Sequence, residues 1–100
     1  MIQRIVKMKF DVGLVNSFKE MFEGVKHKII NFQGCEHLEL LEDTSDPTIL
    51  FTYSLWQSEE DLNRYRNSEL FRKTWKQTKT YFRDRPEAWS TSQISTCKKH

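Results

Sequence analysis

From Ile2 to Phe10 apolar and polar side chains alternate. Ile2, Val6, Met8 and Phe10 share one parity with Arg4, while Gln3, Lys7 and Lys9 take the other. A period of two predicts a strand, whose side chains point in turn to opposite faces. Ile5 interrupts the polar row, so the second face is not purely for solvent. Asp11 offers a carboxylate to the orphan amides of a first helical turn and is the expected N-cap. Leu14, Phe18, Met21, Phe22, Val25 and Ile29 then recur every three or four residues, with Lys19, Glu20, Glu23 and Lys26 between them. That spacing predicts an amphipathic helix ending near Asn31.

The period changes back at Cys35. From there to Glu42, Leu38 and Leu40 oppose His37 and Glu39, and a second strand is expected. The segment Asp43-Thr44-Ser45-Asp46-Pro47 is turn chemistry. The β-branched and aromatic run from Ile49 to Trp56 then completes a hairpin. Ser58 is placed to cap a second helical region, with Glu59, Glu60 and Asp61 on its positive end. Asn67-Ser68 interrupts that region, and Ser68 restarts it as a longer helix with the stripe Phe71, Trp75, Thr78 and Phe82, running until Pro86 stops it. A last strand is expected over 87–95, with Trp89 and Ile94 on opposite faces, and residues 97–100 form a frayed tail.

The predicted order is β-α-β-β-α-β, an α+β, ferredoxin-like domain over residues 1–96. It has a four-stranded antiparallel sheet with two helical regions on one face. The opposite face keeps apolar side chains that need cover. A second copy is the economical cover, so the chain is expected to be a homodimer, packed through the sheet face.

Composition narrows the class further. Thirteen aromatic residues among 100 are too many for a disordered chain. The apolar runs are far short of a membrane span, and charges inside the opening stretch argue against a signal peptide. Cys35 and Cys97 form no metal or redox motif and are read as free thiols of a cytoplasmic protein. The net charge of +2 implies no nucleic-acid partner. Its distribution says more. Residues 36–46 hold five acids and no Lys or Arg, whereas residues 64–85 hold eight basic residues against Glu69 and Asp84. Such asymmetry can steer an anionic ligand, although a solvated helix face gives the same pattern.

An apolar strand ending in Trp56, the acidic helix start after Ser58, and Tyr65, Ser68 and Phe71 in a Tyr-x-x-Ser-x-x-Phe spacing together resemble the antibiotic biosynthesis monooxygenase family of dimeric α/β-barrel proteins. Phe32-Gln33-Gly34-Cys35 and the acidic turn from Glu42 to Pro47 resemble it too. The resemblance spans roughly residues 2–95. It implies a homodimeric α/β barrel with a pocket between helices and sheet. Some members oxygenate quinols or anthrones without metal or flavin, which implies a monooxygenase with no cofactor. Other members have no known activity, which leaves a non-catalytic protein that binds a small apolar ligand as the alternative. Relatives that degrade haem use an Asn on the first strand, a Trp ending the third and a His on the second helix. Trp56 matches the Trp, but Arg4 and Trp75 stand where the Asn and His would be, so haem degradation is not implied.

Oxygenation of this kind needs flat walls, one or two polar groups aimed at a substrate oxygen, and exclusion of water. Trp56 is the first choice for a wall, and Thr52 and Ser54, on the same strand face, can donate to a phenolate. Trp56 equally fits a plain core anchor. Arg4 shares a face with Val6 and Met8, so it either stabilises an anion at a pocket mouth or pairs with Glu39 or Glu42 at the sheet edge. Tyr65, Phe71 and Trp75 can close the pocket from the helix side, or serve as core. Cys35, His37 and Glu39 project from one side at a spacing that invites a metal, but no second pair of ligands accompanies them and no metal site is expected. The expected partners are thus a second copy and a small aromatic molecule, with neither nucleic acid nor membrane.

Overall fold

The computed structural model describes residues 1–99. The first alternating run forms strand β1 (Ile2–Lys9), and Phe10 continues it only as a single bridge to Phe82. Helix α1 (Val15–Ile30) follows. Asp11 does not cap it: its carboxylate accepts from the Gly13 amide at 2.9 Å, and its carbonyl accepts from Leu14 and Val15. The extra turn this builds delays the helix, whose N-cap position falls to Leu14 with no side-chain cap.

Strands β2 (Cys35–Glu42) and β3 (Ile49–Trp56) keep the expected bounds and pair as a hairpin. Asp43 accepts from the amides of Ser45 and Asp46, and Asp46 from the amide and hydroxyl of Thr48. Those bonds hold the Asp46 carboxyl below its usual range. The second helical region is two helices, α2 (Glu59–Arg66) and α3 (Glu69–Lys79). Ser58 and Ser68 cap them, accepting from Asp61 and Phe71 at 3.1 Å each.

Helix α3 stops at Lys79, well before Pro86. Thr80 is its C-cap, and the chain then turns so that Phe82 bridges to Phe10. Strand β4 covers Glu87–Ser92, which leaves Ile94 outside it and exposed. The sheet is antiparallel in the order β2-β3-β1-β4. The architecture is therefore β-α-β-β-α-α-β, ferredoxin-like, with β1 and β3 at its centre.

Register decides the faces. Arg4 pairs with Ser54 on one side and Ser90 on the other, and Val6 with Thr52 and Ala88. This face packs under the helices in two buried apolar clusters. One is built on Met8, Phe10, Phe18, Phe22 and Leu50, the other on Ile29, Trp56, Leu62 and Tyr65. The opposite face carries Ile5, Phe51, Tyr53 and Leu55, with Leu41 and Trp89 on the edge strands 45% and 44% exposed. That degree of exposure is high for large apolar side chains on one surface.

Between Cys35 and His37 the register of β2 shifts. The irregularity turns Cys35 onto the helix side, opposite Trp56, whereas His37 pairs with Leu55 on the open face. Cys35 therefore does not share a side with His37 and Glu39. At Gly34 the chain has φ +88, and a Cβ there would lie 2.3 Å from Cγ of Asp61. Only glycine meets both conditions without strain. Its carbonyl accepts from the Gln57 amide at 2.8 Å, tying the start of β2 to the end of β3.

Candidate functional site

The two apolar clusters do not close on each other. Between them, bounded by the sheet, α1, α2 and α3, lies a cavity of about 340 Å³. Its size falls at the lower end of the roughly 300–1,000 Å³ typical of small-molecule sites. Arg4, Thr52, Ser54, Trp56, Tyr65, Phe71 and Trp75 all line it, so every site residue expected from the sequence meets in one place.

The wall on the helix side is a relay of rings. Trp56 stacks on Tyr65 with centroids 4.9 Å apart and planes at 26°. Tyr65 meets Phe71 edge-on at 5.2 Å, and Phe71 stacks on Trp75 at 5.9 Å. Ser68 ties the relay together at the junction of the two helices: its hydroxyl donates to the Tyr65 carbonyl at 2.6 Å and accepts from the Phe71 amide at 3.1 Å, where the rings of Tyr65 and Phe71 meet. Trp56 is both a core anchor and a wall. It is 1% exposed, and its indole N–H donates to Ser54 Oγ at 3.0 Å. Ser54 accepts in that bond, so its own proton stays free to donate.

The polar groups are few. Arg4 is half-buried and donates through Nη1 to Ser90 Oγ at 3.0 Å. The ion pair foreseen with Glu39 or Glu42 is not made: Glu42 pairs with Lys19 at 2.8 Å, and Glu39 lies 3.5 Å from His37. Burial, and then the charge of Arg66, lower the Arg4 pKa. Burial also pushes the Tyr65 phenol well above its usual range, and Cys35 adds to the effect. The Cys35 thiol is raised as well, chiefly by burial and less by Glu36, against a backbone interaction with His37 that lowers it.

Among the described residues, no imidazole and no carboxylate lines the cavity. His37 lies on the open face, its ring 6.0 Å from that of Tyr53. Among the described residues no three His, Cys, Asp or Glu side chains gather as a metal site, and no helix is long and apolar enough to cross a membrane. Sequence reasoning missed Arg66, Thr74 and Thr78, which also line the cavity. A signal for Arg66 existed: Leu62, Tyr65 and Arg66 stand at i, i+3 and i+4, the same side of α2.

Solved structures share this fold over nearly their whole length. A conserved protein from Methanosarcina mazei Go1 superposes with a TM-score of 0.86 at 17% identity, covering 90% of this chain and 89% of its own. A protein from Nitrosomonas europaea, provisionally named an antibiotic biosynthesis monooxygenase, gives 0.84 at 18%, covering 95% and 100%. A further antibiotic biosynthesis monooxygenase gives 0.88 at 14%, again covering 95% and 100%. At such identities the likeness carries the fold. The family model of antibiotic biosynthesis monooxygenases matches residues 1–77, and the chain belongs to that family. No curated protein matches it.

Proposed function

We propose that this chain is a cofactor-independent monooxygenase that oxidises a small aromatic, quinol- or anthrone-like, substrate with molecular oxygen. The observation that carries the reading is the cavity: ring walls, with the hydroxyls of Thr52 and Ser54 and the guanidiniums of Arg4 and Arg66 among its lining, around a space the size of a fused-ring molecule. With an anthrone, loss of a proton from the ring CH2 leaves an enolate. The enolate passes one electron to oxygen, and the two radicals join in a carbon–oxygen bond. Loss of the second ring proton breaks the O–O bond and releases water, leaving a ketone. Carbon gives up four electrons and one O2 accepts them, so the substrate is the only reductant.

In this scheme Trp56, Tyr65, Phe71 and Trp75 hold the ring, while Thr52 and Ser54 donate to the enolate oxygen. The positive charge of Arg4 favours the anion, in a site that excludes bulk water. Tyr65 keeps its proton and is no base, so the substrate's proton passes to water at the mouth. The protein works as a homodimer through the open sheet face. Its two free thiols fit a reducing, cytoplasmic compartment.

One observation favours a second reading, a non-catalytic binder of a small apolar ligand: among the described residues the cavity wall holds no imidazole or carboxylate to serve as a general base. Oxygen uptake with a panel of anthrones and quinols separates the two. The oxygenase reading expects uptake above autoxidation, one O2 per ketone formed, and a fall of about tenfold or more in Thr52→Val. Uptake equal to autoxidation throughout, with a ligand-induced rise in melting temperature, overturns it in favour of the binder.

A further inference from the structure

Arg4 and Arg66 reach the same cavity from different elements, one from the middle of β1 and one from the last turn of α2. Neither has a carboxylate partner among the described residues. The contrast within α2 is informative. Arg64, two positions earlier, is neutralised by Asp61 at 2.8 Å, while Arg66 is left unpaired. Arg4 has spent one N–H on Ser90, and a guanidinium has five. Two cations beside an apolar cavity repel each other, and the Arg66 charge adds to burial, the larger cause, in lowering the Arg4 pKa. An anion between them relieves the repulsion.

We propose that the ligand of this cavity carries a carboxylate, clamped between Arg4 and Arg66, with its ring lying against Thr52, Ser54 and Trp56. The inference rests on the cavity being the ligand site, as argued above. A carboxylate fits better than a phosphate. Guanidinium forks suit carboxylate and phosphate alike, but among the described residues the wall adds neither a lysine nor a glycine-rich loop for the extra charge of a phosphate. The charges also count out. The two arginines carry two positive charges and a carboxylate brings one negative, so the clamped pair keeps a net positive charge that favours the enolate the oxygenase reading requires.

The test uses 2-naphthoate, methyl 2-naphthoate and 2-naphthyl phosphate, with calorimetric titration on the wild-type protein, Arg66→Gln and Arg4→Gln. Naphthoate is expected to bind about tenfold or more tighter than its ester, the scale of a charge-assisted hydrogen bond. The preference should fall in both variants and weaken with salt. Arg66 is exposed, so its replacement leaves the fold intact even if Arg4→Gln does not. Equal binding of acid and ester, or an acid preference unchanged in Arg66→Gln, overturns the clamp but spares the cavity as a ligand site. Tighter binding of the phosphate overturns the carboxylate assignment. Binding of none of the three overturns both readings.

Discussion

Tyr65 shows how one side chain joins stability to the site. Its ring is sandwiched in the aromatic relay and 9% exposed, and its phenol is pushed above the ordinary value of 10.0. Above that value the unfolded chain gives up the phenolic proton while the folded chain still holds it. The unfolded state then binds fewer protons, so stability is whole below about pH 10 and declines as pH rises toward the folded-state value. Urea unfolding between neutral pH and about pH 11 should show this decline, and Tyr65→Phe should flatten it. An equal decline in both proteins would assign it to other groups. Most of the cavity lining named in the candidate site was legible at this scale because parity and helical spacing fix which side chains share a face. Thr52, Ser54 and Trp56 follow from period two alone. Arg66 did not, because a charged residue at the edge of a helical stripe faces solvent or a cavity according to how the helix docks.

Elements were legible wherever local chemistry starts or stops them. The serine caps and the Asp43–Asp46 turn are local, and they lie where the residue pattern puts them. Ser68→Ala should cost about 1 kcal/mol, read as a shift in the urea midpoint. It should also loosen the Tyr65–Phe71 contact, visible as weaker ligand binding. A midpoint unchanged by the substitution would make the cap incidental. The failures are long-range. Helix α3 gives way at Thr80 because the chain must turn for Phe82 to meet Phe10, a contact some seventy positions away. Cys35 changes face because β2 pairs with β3 through an irregularity. Neither Pro86 nor alternation records such constraints.

For the molecule as a whole, all three helices lie on one side of the sheet, while Ile5, Phe51, Tyr53 and Leu55 face the other. A second copy laid against that face would cover them. Sedimentation at micromolar concentration should therefore give a dimer, and Trp89→Glu, on the exposed edge strand, should shift it toward monomer. A wild-type monomer would overturn the dimer. The cavity has a consequence beyond binding. It separates the apolar cluster around Phe10 and Phe18 from the one around Trp56 and Tyr65. A guest that touches both acts as a keystone, adding to the links that Leu38 and the Phe71–Trp75 stack already make between the two half-cores. Its binding energy adds directly to folding, by about 2.7 kcal/mol at a hundredfold excess over Kd. Melting temperature is therefore a direct readout of the proposed ligand class: across a library of aromatic acids, the best-fitting compound should raise it most, and a library that leaves it unchanged would overturn the proposal.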